Sequence, residues 1–131
     1  MSPVMRWGLL AGIVVMVVDT ISALITQGFP ADSDTAQTVQ MIDLGASVGM
    51  YALAGFRSGR ALGIIRAGAE AGVLAGVLAG FLAAALAYVI PGPDGSAPNP
   101  IGDLSLNIAL GGVLGLFNGW LGSRIPETPR R

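Results

Sequence analysis

The chain has 131 residues, of which 53% are hydrophobic and only 11% charged, against roughly 25% charged in a soluble domain. Its net charge is −1, all of its basic residues are arginine, and it contains neither cysteine nor histidine. Disulfides, thiolate metal sites, cysteine nucleophiles and histidine bases are therefore excluded, and no basic surface invites nucleic acid.

Residues 1–5 are a short lead. From Arg6-Trp7 an apolar run continues to Gln27. It resembles a signal peptide in position, but it is too long and lacks a small-residue cleavage site. The run therefore predicts a first transmembrane helix over 6–27, about 30 Å long. Gly28 and Pro30 supply its stop, with glycine suited to a left-handed cap.

Residues 28–35 are an acidic loop with Asp32 and Asp34. Asp34-Thr-Ala-Gln37 reads as a capping box that starts a second helix over 35–56. Arg57-Ser-Gly-Arg60 reads as a tight basic turn. A third helix follows over 61–90, with Arg66 and Glu70 spaced as an i,i+4 ion pair. Within it Gly68, Gly72, Gly76 and Gly80 form one face. In lipid a helix keeps its backbone hydrogen bonds despite such glycines, and the stripe lets a neighbour approach closely.

Residues 91–102 hold four prolines and three glycines and read as a loop. Asp103 is a suitable N-cap for a fourth helix over 104–124. The expected fold is an all-α integral membrane protein, a single Gly-rich bundle of four transmembrane helices. Glycines at Gly8, Gly12, Gly45, Gly49, Gly111, Gly115 and Gly122 join the stripe above as expected packing positions.

Topology follows from charge. Arg6, Arg57, Arg60, Arg66, Arg124, Arg130 and Arg131 fall on one side of a four-span arrangement. Asp32, Asp34, Asp94 and Asp103 fall on the other. The positive-inside rule then puts both termini in the cytoplasm of a cell (bacterial inner or plasma) membrane. Trp7, Phe56 and Trp120 sit at the inner interface, with Phe29 and Tyr88 near the outer one.

The two halves, about 1–60 and 61–131, share spacing. Arg6-x-Gly8-xxx-Gly12 recurs as Arg66-x-Gly68-xxx-Gly72. Ile42-x-Leu44-Gly45-xxx-Gly49 recurs as Ile108-x-Leu110-Gly111-xxx-Gly115. This predicts a tandem repeat of two helical hairpins related by an axis along the membrane normal.

Asp19 is the sharpest anomaly. It falls inside the first helix, on the face of Gly8, Gly12 and Val15, so it points into the bundle. A carboxyl at a helix centre costs roughly 2.5–3.5 kcal/mol on insertion scales, which marks it as a functional candidate. The structural alternative is a neutral carboxyl tied to Thr20, Ser22 or Tyr51. Asp43 falls at a similar depth on the second helix. Two carboxyls close together in a dry site cannot both ionise cheaply, so they would share a proton or a cation. The alternative is an Asp43 solvated at the headgroups.

Asp43, Ser47, Tyr51 and Gly55 form a polar stripe on the second helix. Asp103, Asn107, Gly111, Gly115, Asn118 and Gly122 form another on the fourth. Asp19, Asp43, Tyr51, Asn107 and Asn118 are the candidate intramembrane polar site. No EF-hand spacing and no phosphate loop is present, so no metal and no cofactor is expected. Lipid, quinone or pigment in an apolar groove needs no motif. The first functional expectation is a non-catalytic accessory subunit that packs through glycine faces in a larger membrane complex or with itself. The alternative is a small ion- or proton-coupled transporter or channel that uses Asp19 and Asp43.

Overall fold

A computed structural model describes residues 1–89 and 99–125. The expected end of the third helix at Ile90, the proline-rich stretch 91–98 with Asp94, and the tail with Arg130 and Arg131 lie outside the described residues. Four helices follow in order: α1 (Pro3–Thr26), α2 (Asp34–Leu62), α3 (Ile65–Val89) and α4 (Pro100–Ser123). All four are long and apolar enough to cross a membrane.

The helices begin and end for local reasons, and several differ from the sequence expectation. In α1, Ser2 caps the first turn by accepting from the Met5 amide at 3.2 Å, with Pro3 in the first turn. The helix ends at Thr26 and is capped by Gln27 in right-handed geometry. Gly28 is not the left-handed stop, because the only positive φ among the described residues is at Gly63. In α2 the cap is Ser33, which accepts from Ala36 N, and not Asp34. The Gln37 side chain donates to Asp32 O at 3.3 Å instead of closing a capping box.

The expected turn at 57–60 is also corrected. Arg57 to Arg60 are helical, and α2 ends only at Leu62, where Gly63 takes φ 67°. That conformation is open to glycine at little cost, so Gly63 is the true stop. Gly59 is tolerated inside the helix because it packs on another backbone, as shown below. At 29 residues, α2 is about 44 Å long, more than the ≈30 Å hydrocarbon core. Its last turns carry Arg57 and Arg60. In α4 the cap is Asn99, which accepts from Gly102 N at 3.1 Å, followed by Pro100. Asp103 instead lies in the first turn, where its charge suits the helix dipole.

The packing follows from small residues. The buried residues of α3 are Ala67, Gly68, Ala71, Gly72, Ala75, Gly76, Ala79 and Gly80, two adjacent columns of one face. The gross pattern is inverted relative to a water-soluble core. Alanine and glycine lie inside, while Ile42 is 64% and Val113 67% exposed. Side chains of that kind on the outside match lipid tails, and small ones inside allow contact between backbones.

Among the described residues α3 packs on α1, α2 and α4, and α2 packs on α1 and α4, whereas α1 and α4 do not meet. The cross-section is thus a rhombus with α1 and α4 at opposite corners. Gly72 lies against Gly111, Gly76 against Asn107 and Gly80 against Leu104, so α3 and α4 run antiparallel. Gly55 lies against Gly115 and Gly59 against Gly119, so α2 and α4 run parallel. Gly68 sits where three helices converge, beside Gly119, Gly115 and Gly55. Gly122 abuts the Phe56 carbonyl, and Gly8 and Gly12 abut Leu74 and Leu78 of α3.

Two expectations are not met by this packing. A methyl at Gly45 or Gly49 would have nothing within 4 Å. Both glycines lie on the outer face of α2, because the inward face of that stretch is taken by Asp43, Ser47 and Tyr51. The two halves are also not packed alike. Gly8 meets the Leu74 side chain and the Ala71 carbonyl of α3 alone, whereas its sequence counterpart Gly68 meets the backbones of two helices, and α2 touches α3 while α1 and α4 stay apart. The shared spacing is therefore not accompanied by equivalent contacts.

The alternation of helix direction gathers the described arginines at one end. Trp7 lies between Arg6 and Arg57, at 5.8 and 5.4 Å from its ring centroid, and Arg124 stacks over Trp120 at 5.3 Å. Ser58 Oγ donates to Pro3 O, which ties the start of α1 to the end of α2. Arg66 Nε donates to Glu70 Oε1 at 2.7 Å, as its spacing suggested. Asp32, Asp34 and Asp103 lie at the opposite, acidic end.

Candidate functional site

The contacts of Gly55, Gly59 and Gly68 with Gly115 and Gly119 lie in the arginine half of the bundle, and the α3–α4 glycine seam runs on through Gly76–Asn107 to Gly80–Leu104 at the acidic end. In the acidic half the helices leave a cavity of ≈ 340 Å³, to which all four contribute. Asp19 comes from α1, Asp43, Ser47 and Tyr51 from α2, and Asn107 from α4. Asp19 lies seven residues before the end of α1 and Asp43 nine after the start of α2. At 1.5 Å per residue both stand about 10–14 Å from the acidic end.

Their convergence has a plain cause. Asp43, Ser47 and Tyr51 are four residues apart, so one helix face presents all three. Asp19 continues the inward face of Gly8, Gly12 and Val15, which packs on α3. The Asp19 and Asp43 side chains line the same cavity. Asp43 Oδ1 is shut off from solvent and has no partner among the described residues. Asp43 is half-buried.

The floor is well defined. Tyr51 is fully buried. The Tyr51 hydroxyl donates to Asn107 Oδ1 at 2.7 Å, and Asn107 Nδ2 donates to Asp103 O at 3.0 Å. That chain fixes the Asn107 amide and holds α2 to α4. Of the three hydroxyls expected to tie down Asp19, Thr20 donates to Met16 O and Tyr51 to Asn107 Oδ1. The remaining wall is apolar, with Val48, Leu86, Leu106 and Leu110. Ala23, Ala83 and Ala87 are small enough to leave the space open.

The structure therefore brings together Asp19, Asp43, Tyr51 and Asn107 of the residues singled out by sequence. Asn118 is not with them. It lies three turns further along α4 and its amide donates to Leu114 O at 2.9 Å within the same helix. Ser47 is a member that the list of candidate residues lacked, although its i,i+4 spacing from Asp43 and Tyr51 signalled it. The contribution of α3 carried no signal, because Ala83, Leu86 and Ala87 are ordinary apolar residues. Gly59 and Gly119 were likewise missed as packing positions.

Chemically the pocket offers two carboxyls in an apolar enclosure with a neutral hydrogen-bonded floor. Repulsion between the carboxyls is relieved by one shared proton or by a bound cation. Groups of three or more histidine, cysteine or carboxylate ligands are absent among the described residues. Comparison of the chain with models of protein families, with curated proteins and with solved structures gives no match. The functional reading rests on geometry.

Proposed function

We propose that this chain is a small integral membrane protein that binds and transports a cation through the Asp19–Asp43 pocket, exchanging it with protons. The observation that carries the reading is the convergence of Asp19, Asp43, Ser47, Tyr51 and Asn107 on one cavity, with a buried carboxylate oxygen left unpartnered. Ionisable groups kept within spanning helices mark ion and proton pathways. Toward the arginine half, Tyr51 is fully buried and Gly55–Gly115 and Gly59–Gly119 pack backbone on backbone. Such a form fits a binding state of a transporter and not an open pore. With the arginine end cytoplasmic, the pocket lies in the outer half of the bundle.

The glycine argument for an accessory subunit is weaker than the sequence suggested, since most of those glycines are used inside the bundle. One observation still favours it as a second reading. Gly45 and Gly49 leave a smooth strip on α2 that meets nothing, where another membrane helix or a second copy would fit.

The test is flux. Proteoliposomes loaded with a pH-sensitive dye are given gradients of Na⁺, K⁺ and benzyltrimethylammonium in turn. At least one gradient drives protein-dependent proton movement, and Asp19→Asn abolishes it while still inserting and eluting as folded protein. Wild-type vesicles as tight as protein-free ones toward all three cations overturn the reading.

A further inference from the structure

We infer that the pocket takes a small organic monocation, an amine or quaternary ammonium with an apolar body, and not a bare metal ion; this rests on the cation-pocket reading above. The first argument is size. At ≈ 340 Å³ the cavity has the volume of about ten water molecules. That is the lower range of small-molecule pockets, about 300–1,000 Å³. A dehydrated metal ion fills a small fraction of it.

The second argument is the donor set. Hard cations such as Ca²⁺ take about 6–8 oxygens at close range. Here the Asp19 and Asp43 carboxyls and the Ser47 hydroxyl are the oxygens to hand. Tyr51 has no surface exposed to the cavity, and Asn107 Oδ1 already accepts from the Tyr51 hydroxyl. Neither histidine nor cysteine exists in the chain to complete a shell. A metal would be under-coordinated and would need a large retained water cluster against leucine and valine walls.

The third argument is complementarity. Carboxyls lie on the α1 and α2 sides, while α3 contributes only Ala83, Leu86 and Ala87. An ammonium head placed at the carboxyls puts its carbon body against those residues. One monocation together with one proton neutralises both carboxyls, so the loaded pocket carries no net charge.

The experiment is calorimetric titration of the full chain, purified in a non-ionic detergent, with benzyltrimethylammonium chloride, NaCl, KCl and CaCl₂ separately. The expected result is saturable, one-to-one binding of benzyltrimethylammonium. Asp43→Asn weakens it by at least about tenfold. Because Asp43→Asn bears on packing as well as charge, Ala83→Phe serves as the second variant. It fills the cavity without touching the carboxyls, and it too weakens binding at least about tenfold. Glu70→Gln, exposed at the other end, binds as wild type does.

Binding that survives equally in Asp43→Asn and Ala83→Phe is partition into detergent and overturns the inference. Saturable binding of Na⁺, K⁺ or Ca²⁺ without benzyltrimethylammonium overturns it while the cation pocket stands. Failure of all four cations to bind removes both.

Discussion

Replacing Gly72 by alanine adds one methyl group at the closest approach of α3 and α4. That methyl would overlap the Gly111 carbonyl oxygen and reach the Gly115 Cα at 3.0 Å. Both obstacles are backbone, so no rotamer change relieves them and the helices must separate. Overpacking of this kind costs about 1–3 kcal/mol. Alanine's better helix propensity returns at most about 1 kcal/mol in water, and less where lipid already enforces the helix. The matched control is Gly49→Ala, whose methyl meets nothing within 4 Å and whose expected change is neutral or slightly stabilising. The assay is reversible SDS titration of the detergent-solubilised protein, followed by the fluorescence of Trp7 and Trp120. Gly72→Ala should shift the folded-to-unfolded ratio about 5- to 150-fold toward unfolding. A Gly72→Ala variant that unfolds together with Gly49→Ala refutes the claim that glycine contacts hold α3 to α4.

The other predictions use the same titration. Gly63→Ala places a side chain at φ 67° and should cost about 1–2 kcal/mol; no loss would mean that α2 does not end there. Tyr51→Phe removes the donor to Asn107 Oδ1 and should cost about 0.5–1.5 kcal/mol, since water in the cavity can replace it. Arg66→Ala should change stability by less than about 1 kcal/mol, because the side chains of its ion pair are 85% and 48% exposed. A larger loss would show that the pair does more than bridge one turn.

The four spans were legible because long apolar runs in this chain are separated by proline, glycine and acidic residues. Helix starts were less so. Ser33 and Asn99 sit next to residues that cap almost as well, and only backbone geometry chooses between them. The tight turn expected at Arg57–Arg60 failed for a physical reason. Glycine and charge mark a turn at a water-exposed surface, but Gly59 is there to admit the α4 backbone. The inward direction of Asp19 and the Asp43–Ser47–Tyr51 face were readable from helical spacing alone. That these faces meet in a cavity was not, because its openness depends on alanines of α3 that look like any membrane helix. Gly45 and Gly49 carry the same pattern as the packed glycines, and only tertiary placement shows that they face outward.

The central claim is that Asp19 and Asp43 form a protonatable, cation-accessible carboxyl pair inside the bundle. The most direct measurement is labelling of membrane-embedded protein with dicyclohexylcarbodiimide, an apolar reagent that reacts with protonated carboxyls, followed by mass spectrometric mapping of the adduct. The account expects one adduct per chain, on Asp19 or Asp43, suppressed when benzyltrimethylammonium or another cation occupies the pocket. Labelling confined to Asp32, Asp34 or Asp103, or labelling of Asp19 and Asp43 that no cation suppresses, would contradict it.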